Sequence, residues 1–483
     1  MAKTTGAEEP LRVRMYRVGF GDFFLLTVPS PTGPQHLLID CGVTKGTTGR
    51  GDIGTLKAAV ADMAQETDHK LALIIVTHRH MDHIIGFSRC KDEFEQFEVG
   101  AIWMPVWETQ YDSKIEDLQA QLTALALDIG THLALAAGNT PDRAELLAML
   151  ENATGHDFLA GGALGVAGTG GGTNAESLRL LKEGLKVKPT YYHKGQIAQL
   201  PKALVDAGLA AEILGPPPVD ELAFMKLKDL RKGVGQYLEM SERRQEQDGG
   251  AFRPFAERFT ATPDDYPASA FREWLPRNAD SVQPALKDLK NAVAALRKAV
   301  DDAQPEVLLT AVKALDGFLN NQSLVVLFTF RGKKLLFAGD AQAGNWEYWL
   351  YDSDTPVKAP SGVLGAHGAQ VLGHLDFYKV GHHGSTNATP IAALDAMNQG
   401  FVALCSTQAD TFGSVNNDSE VPRIPLLAAM SDKATAVVRA DQIPVTLSGA
   451  LGNAVANLPA VPKNLPPGRG KLVVGTCCVD YLL

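Results

Sequence analysis

A dense group of potential metal ligands directly after an apolar strand is the feature that most constrains this chain. Residues 71–76 form an unbroken apolar run with the length of a buried strand. The segment that follows contains His78, His80, Asp82 and His83. Loops at the carboxyl ends of strands are where α/β sheets bind ligands. We therefore expect a metal-binding sheet edge at this point of the chain.

The spacing within this group favours two neighbouring ions. His78 and His80 are two positions apart, so they can point the same way from an extended segment. Asp82 and His83 come after a bend and can face a second ion a few ångströms away. A polar surface turn is the alternative interpretation, but three imidazoles and a carboxylate are rarely found together after a buried strand by accident.

Strand-like and helix-like patterns alternate along most of the chain, which predicts an α/β fold. Strands are predicted at 11–28, where a turn separates two of them, and at 36–40, 71–76, 101–104, 211–215, 324–330, 334–338, 376–380, 400–405 and 435–439. Helices are predicted at 55–67, 114–127, 143–150, 220–244, 284–300, 305–319, 391–397 and 425–430. The glycine-rich stretch 161–173 is predicted to be a flexible loop or linker. A phosphate-binding loop is the alternative, but no Lys-Ser/Thr follows the glycines at the required spacing.

Composition and charge narrow the functional classes. The content of 45% hydrophobic and 21% charged residues is typical of a globular protein. The net charge of -10 means that nucleic-acid binding would need a local basic groove. The five cysteines lack metal-ribbon or redox spacing, which favours a reducing, cytoplasmic compartment. Because no apolar span reaches bilayer length, we expect no membrane partner.

Several motifs resemble those of one protein family. The segment T-H-R-H-M-D-H at 77–83 resembles the T-H-x-H-x-D-H signature of the metallo-β-lactamase superfamily. Further segments resemble the hydrolase domain of bacterial DNA-uptake competence proteins. They are V-G-F-G-D at 18–22, L-I-D-C-G at 38–42, N-N-Q-S-L at 320–324, F-A-G-D at 337–340 and K-V-G-H-H-G-S at 379–385. As an ordered set these matches are specific, although each short one is weak alone.

The resemblance implies a particular α/β architecture, a four-layer αβ/βα sandwich in which two sheets face each other with helices outside. The hydrolase domain would span residues 11–440. A mostly helical insertion would interrupt it at about 108–318, and a C-terminal extension at 441–483 would pack on the domain.

The resemblance also implies a binuclear ligand set. His78 and His80 would bind the first metal, Asp82 and His83 the second, and Asp340 would bridge both. A histidine of the H-H-G-S segment would complete the second metal. His382 is the favoured ligand and His383 its near rival, while either could stack on substrate or donate a proton. The catalytic candidates are Asp82, Asp340 and His383.

Other candidate residues would support the ligands or the substrate. Asp40 would orient a ligand imidazole, although a turn or helix-cap role is equally compatible. The substrate-binding candidates are Ser385, Thr386, Asn320 and Lys379, and the 385–387 segment could equally be an ordinary turn. A phosphate-binding rim could be formed by Arg331, Lys333, Lys334 and Lys379, although surface solubility is the commoner role of such side chains.

The sequence departs from the family pattern in places. Many superfamily members have another histidine about twenty residues before the late aspartate, where this chain has Asn320-Asn321. The first metal would then take an amide oxygen or water in place of one imidazole. Residues 413–416 lack the histidine that is usual in the late loop of the competence domain, which leaves the substrate open.

These observations predict a binuclear metallo-hydrolase, with a phosphodiesterase or nuclease as the first interpretation. Two ions would activate a shared hydroxide for attack on nucleic acid or a small phosphodiester. Zinc suits the imidazoles, and the carboxylates also permit manganese. The alternatives are a small-molecule ester, lactone or cyclic-nucleotide hydrolase, and a metal-binding sensor or effector whose helical insertion binds a protein partner.

Overall fold

The computed structural model describes residues 9–44, 54–135, 141–156, 158, 172–221, 224–225, 305–351, 364–413, 415, 419–442, 465–475 and 477–483. Most of the loop predicted at 161–173 and of the helix predicted at 220–244, and all of the helix predicted at 284–300, lie outside these residues. Within them the protein is mixed α/β, as the sequence pattern predicts.

The strands include those expected from the apolar runs of the sequence, together with short or exposed strands that were not predicted. They are β1 (Arg12–Tyr16), β2 (Phe23–Val28), β3 (Gln35–Cys41), β4 (Lys70–Leu71), β5 (Leu73–Ile75), β6 (Glu98–Val99), β7 (Ile102–Pro105), β8 (Thr190–Tyr192), β9 (Leu209–Gly215), β10 (Val325–Phe330), β11 (Lys333–Phe337), β12 (Phe377–Lys379), β13 (Val402–Cys405), β14 (Ala436–Arg439), β15 (Lys471–Val474) and β16 (Cys478–Leu482).

The helices separate these strands. They are α1 (Leu56–Thr67), α2 (Met81–Arg89), α3 (Lys91–Phe94), α4 (Ser113–Leu135), α5 (Pro141–Thr154), α6 (Asn174–Arg179), α7 (Lys202–Asp206), α8 (Pro305–Asn320), α9 (Ala343–Leu350), α10 (Ala366–Leu372), α11 (Ile391–Ala396) and α12 (Ile424–Ser431). None of the helices in the described ranges is long and apolar enough to cross a membrane.

The strands form two large sheets and a small one. The first sheet has the order β15-β16-β1-β2-β3-β5-β7-β8, and the second has the order β14-β13-β12-β11-β10-β9. Strands β3, β5, β7 and β8 are parallel, as are β11 to β14, so several carboxyl ends share an edge in each sheet. The short strands β4 and β6 pair separately.

An apolar core lies between the two large sheets. It contains alternate residues of each strand, such as Phe24 of β2 and Phe337 of β11, whose ring centroids are 5.9 Å apart. The neighbouring Phe23 and Leu25 face the other side of the first sheet. Burial of both faces explains why these strands are apolar throughout instead of alternating with polar residues.

Helices cover the outer face of each large sheet. Met63 of α1 and Ile84 of α2 pack in the cluster on the first sheet. Trp346 and Trp349 of α9 pack in the cluster on the second sheet, with further apolar side chains of α10, α11 and α12. Burial of these large rings contributes strongly to stability, because each aromatic side chain removes about 150–250 Å² from water.

The predicted insertion at 108–318 divides into parts with different roles. Helices α4, α5 and α8 share an apolar cluster of their own, in which Trp107 and Phe318 lie 5.5 Å apart. Strands β8 and β9 come from the same stretch but pair with β7 and β10, so they extend the two large sheets. Similarly, β15 and β16 of the predicted C-terminal extension are strands of the first sheet.

Candidate metal centre

The candidate site lies where carboxyl ends of strands from both large sheets meet. In the first sheet, Asp40 is the second-last residue of β3, and the 77–83 segment follows β5. Asp340 follows β11 and the two adjacent histidines follow β12 in the second sheet. The chain order therefore places every metal ligand predicted from the sequence at one edge of the fold.

Helix α2 begins inside the histidine cluster. His80 is the residue before the helix, with φ -65° and ψ 152°, while Asp82 and His83 lie in its first turn. The partial positive charge of a helix N-terminus stabilises a carboxylate there, as at Asp82. Gly42 lies so close to this turn that an added Cβ would be 2.2 Å from the carbonyl carbon of Asp82. The glycine of L-I-D-C-G is therefore needed for the loop to pack on α2.

The two histidines after β12 have an unusual backbone. His382 has φ 42° and His383 has φ 51°, both in the left-handed region that is uncommon for residues other than glycine. Such strain is often found at functional sites, where the surrounding structure maintains it. The His383 ring is buried, with its Nδ1 2.7 Å from the Ser406 carbonyl oxygen. The His382 side chain is 19% exposed.

Four side chains from the two sheets converge on one point. Asp82, His83, Asp340 and His383 each offer a ligand atom within 4.8 Å of the others, and all four are buried. The Nε2 of His83 lies 3.0 Å from the Asp340 Oδ2, and the Nε2 of His383 lies 2.9 Å from the Asp82 Oδ2. A buried group of imidazoles and carboxylates of this kind could hold a metal ion.

Many of the candidate ligand atoms form no hydrogen bond with the described residues. Buried atoms without a hydrogen bond of acceptable geometry include Nε2 of His78, His80, His83 and His383, Oδ1 of Asp82 and Oδ2 of Asp340. A buried polar atom without a hydrogen bond lowers the stability of the fold by about 1–3 kcal/mol. A cluster of such atoms therefore needs an explanation. Coordination of a cation would satisfy all of them, and the donor set therefore fits a metal.

Histidines 78 and 80 lie beside this group but are not in it. The ring centroid of His78 is 4.7 Å from that of His80 and 4.1 Å from that of His83. Burial lowers the pKa of His78 well below its ordinary value and lowers the pKa of His80 to about 4. Both rings are therefore neutral near pH 7, which is the form that binds metals.

The converging carboxylates and imidazoles shift one another's pKa values in opposite directions. Although burial opposes its ionisation, the adjacent His83 and His383 lower the pKa of Asp82 to about 2. The pKa of Asp340 likewise lies well below its ordinary value, against the effect of burial, because of the same two histidines. Burial lowers the pKa of His383, but Asp340 and the other carboxylates raise it to about 10. These carboxylates thus stabilise positive charge at the point where the ligand atoms meet.

No family model matches the chain. No curated protein matches it either. The functional interpretation of the site therefore depends on its geometry and chemistry.

Asp40 lies between Thr77 and the His83 ring. Its carboxylate accepts hydrogen bonds from the Thr77 backbone N–H at 2.8 Å and the Thr77 hydroxyl at 2.6 Å. Its Oδ2 also lies 2.8 Å from the Nδ1 of His83. Such a contact keeps the proton on Nδ1 and leaves Nε2 free to bind a metal.

The basic residues do not form the predicted phosphate-binding rim. Lys379 is 1% exposed, and its ammonium binds the Gly339 carbonyl oxygen at 3.0 Å and the carboxylates of Asp22 and Asp340. Lys333 is the strand-register partner of Phe330 beside the turn of the β10–β11 hairpin, at the opposite end of β11 from Asp340. The suggested role of Lys379 in substrate binding is corrected accordingly, because its charge is enclosed and neutralises buried acids. Arg331 and Lys334 lie at the same distant end of the hairpin.

The 385–387 segment is connected to His382. The Ser385 hydroxyl lies 2.8 Å from the His382 Nδ1 and donates to the Asn387 Oδ1 at 2.6 Å. The Asn387 Oδ1 is itself 2.9 Å from that same Nδ1. These contacts hold the His382 ring, while Thr386 is half-buried beside them. The Ser385 side chain therefore supports a histidine at the rim of the site.

Asn320 is completely buried at the end of α8. Its Nδ2 donates to the Asp316 Oδ2 at 3.0 Å and lies 3.3 Å from the His382 Nε2, while its Oδ1 has no partner among the described residues. Burial and the charges of Asp82 and Asp340 raise the pKa of Asp316 to about 8. Asn320 therefore faces the metal-binding region, as the predicted amide ligand would.

Sequence reasoning missed two acidic residues of the site, Asp22 and Asp316. Asp22 binds Lys379 and accepts from the Ser406 hydroxyl, although the V-G-F-G-D motif that contains it was a usable signal. Asp316 lies 3.9 Å from the His80 Nε2 but belongs to no motif. Its position one turn before Asn320 on a predicted helix could have placed it on the same face.

The residue between the first two histidines anchors the metal-binding loop. Arg79 turns away from the site and forms two bonds with the buried Glu108, at 2.6 and 2.9 Å. It also donates to Thr123 of α4 at 3.1 Å, and Lys182 contacts the same glutamate at 3.2 Å. This network ties the loop to the helical cluster of α4, α5 and α8.

Proposed function

We propose that this chain is a metal-dependent hydrolase of the metallo-β-lactamase superfamily, with a binuclear centre that cleaves phosphodiesters. The observation that carries the proposal is the buried convergence of Asp82, His83, Asp340 and His383, each with one donor atom that forms no hydrogen bond with the described residues. Two sheets that enclose one core and have helices on their outer faces are what the four-layer αβ/βα sandwich of that superfamily requires.

The ligand assignment follows the geometry. One ion would be held by Asp82, His83, Asp340 and His383, and its neighbour by His78 and His80, with Asp340 between the two. His383 takes the position for which the sequence favoured His382, because its Nε2 is 3.4 Å from the Asp340 Oδ2 whereas that of His382 is 3.9 Å away. Imidazole-rich ligand sets favour zinc, and the carboxylates also suit manganese.

The residues around the proposed metal centre would then contribute to hydrolysis in different ways. A pair of divalent ions held by these residues would supply an activated water for attack on a phosphoryl or acyl centre. Asp40 and the Ser406 carbonyl oxygen orient the rings of His83 and His383 through Nδ1. His382, partly exposed and held by Ser385, would deliver a proton to a leaving oxygen after taking one up on Nε2, the atom that accepts from the Asn320 amide in the free protein.

The charge distribution favours a small phosphodiester over a long nucleic-acid strand. The basic side chains that the sequence suggested for a phosphate rim lie at the far end of the hairpin or are buried in ion pairs. Binding of a polyanion strengthens with the number of phosphates neutralised and weakens steeply with salt. A nuclease remains the second candidate because its chemistry at the two ions is the same.

The test combines metal analysis with an activity panel. Purified protein with bound metal should hydrolyse bis-p-nitrophenyl phosphate, and single-stranded DNA, cyclic nucleotides and simple carboxylic esters are assayed beside it. His80→Ala and Asp340→Ala should each reduce turnover by at least about 100-fold while leaving the circular dichroism spectrum unchanged.

His374→Ala is the matched control, because this histidine is exposed and contacts only the Gln370 carbonyl oxygen in its own helical turn among the described groups. It should keep full activity. Full turnover in both His80→Ala and Asp340→Ala would refute the proposal. Salt-sensitive cleavage of DNA with no turnover of small diesters would select the nuclease.

A further inference from the structure

We propose that Asp316 of α8 is a ligand of the ion held by His78 and His80. This inference rests on the proposed binuclear centre and assigns to it a carboxylate that no motif of the sequence contains. The α8 helix would then contribute directly to the metal site.

The ion position at His78 and His80 needs further ligands. A protein zinc site uses at least three protein side chains, and a structural one uses four. Here the two imidazoles have Nε2 atoms without a hydrogen bond, and Asn320-Asn321 stands about where many superfamily members have a third histidine. Asp340 can supply a shared oxygen. A further oxygen donor on the other side would complete an ordinary coordination sphere.

Asp316 is placed to be that donor. Its Oδ1 lies 3.9 Å from the His80 Nε2. Two ligands about 2.0–2.2 Å from one tetrahedral zinc ion are roughly 3.3–3.5 Å apart, so a small side-chain rotation brings both onto one ion. The other oxygen, Oδ2, already accepts the Asn320 amide at 3.0 Å, which directs Oδ1 towards the imidazole. Ligating carboxylates commonly have such a hydrogen-bonded second oxygen.

The charges around Asp316 also favour a cation at this position. The side chain is 17% exposed and lies near Asp82 and Asp340. Among the described residues, His80 is the basic side chain found within 4.0 Å of its carboxylate, whereas His83 and His383 contact Asp340 and Asp82. A divalent ion between His80 and Asp316 would offset the repulsion among the three acidic side chains.

The position of Asp316 in α8 links the helical cluster to the centre. The adjacent Leu315 and the following Phe318 and Leu319 are buried against α4 and α5. The apolar side of α8 therefore fixes the height and rotation of the helix, and its polar side presents Asp316 and Asn320 to the metal site. A packed helix positions a ligand more rigidly than a surface loop does.

The test measures metal content and spectroscopy, not turnover alone. Wild-type protein, Asp316→Asn and Asp316→Ala are stripped with a chelator, reloaded with Mn²⁺ and titrated by calorimetry, and bound metal is counted by mass spectrometry. Wild-type protein should bind two ions and give the electron paramagnetic resonance signal of a coupled Mn²⁺ pair. Both variants should keep one tight ion, bind the other about 10–100-fold more weakly and lose the pair signal.

Asp92→Asn, which changes an exposed aspartate of α3, is the matched control and should behave as wild type. Circular dichroism of the metal-free proteins checks that the variants fold. Two ions bound with unchanged affinity in both Asp316 variants would overturn the assignment while leaving the binuclear centre in place. A single ion in wild-type protein would also overturn it, and no ion in wild-type protein would refute the proposed function itself.

Discussion

At the scale of single residues, the site depends on side chains that are adjacent in sequence but face different surroundings. His382 and His383 both have left-handed backbone, which turns one ring to the rim and the other into the interior. The Nδ1 atom of His383 contacts a main-chain carbonyl oxygen, and that of His382 contacts Ser385 and Asn387. In the proposed mechanism, these neighbours of the same type would have separate roles, ligand and proton donor.

This separation predicts different results for the two alanine variants. His383→Ala should lose one bound ion and almost all turnover, because it removes an imidazole from the group of four buried ligands. His382→Ala should keep both ions and lose about 100-fold in turnover, the typical contribution of a positioned proton donor. Metal counting together with steady-state kinetics distinguishes them. Loss of an ion in His382→Ala alone would reverse the assignment.

At the scale of secondary-structure elements, strand ends determine where the ligands lie, and strand pairing keeps those ends in register. Strand β3 carries Asp40 at its carboxyl end and His36 at its beginning, and it pairs with β2 and β5. His36 is 7% exposed and its Nδ1 lies 3.1 Å from the hydroxyl of the cross-strand Thr27. A charge there would be poorly solvated.

The pairing of β2 and β3 predicts a pH dependence of stability. Burial and then the nearby Arg12 lower the pKa of His36 to about 4, whereas an unfolded histidine titrates near 6.5. Between these values the unfolded chain binds more protons, so the free energy of unfolding falls as the pH drops from 6.5 to 4. The contribution is about 3 kcal/mol at most.

Urea denaturation at several pH values measures this effect. His36→Gln should lose stability less steeply than wild type over this range, while the exposed control His374→Gln should follow wild type. Equal slopes for wild type and His36→Gln would contradict the pKa assignment.

At the scale of the whole molecule, the candidate centre joins the two sheets. Asp82 and His83 come from the first sheet through α2, and Asp340 and His383 come from loops of the second. The contacts between them lie at the edge where the two sheets meet, beside the apolar core. An ion at this point would be bound more tightly by the folded protein than by an unfolded chain, in which Asp340 and His383 are far from Asp82 and His83.

Metal removal should therefore destabilise the protein. Binding to the folded state alone adds about 2.7 kcal/mol of stability when the free ion concentration is 100 times Kd. Thermal scans should show a lower Tm after chelation and recovery when Zn²⁺ or Mn²⁺ is restored. His383→Ala should show a smaller shift than wild type. An unchanged Tm on chelation of metal-loaded wild-type protein would show that the ions do not hold the sheets together.

Much of the fold follows from local sequence patterns. Strands β2, β3, β10 and β11 were predicted to within a few residues, because long apolar runs between turn residues are a strong local signal. Strand β8 has three residues and β15 is half exposed, so neither carries a clear period, and both were missed. Helix α9 was missed as well, although its buried tryptophans pack on the second sheet.

The sequence by itself determined which residue types gather after β5, β11 and β12, and hence that a metal-binding edge was to be expected. That is local information, since a ligand motif is readable wherever its residues are close along the chain. Only the tertiary structure decided that Lys379 is enclosed by acids, that His383 and not His382 faces Asp82, and that Asp316 approaches His80. These contacts join residues far apart in the chain, and they depend on side-chain direction and helix packing that no local pattern specifies.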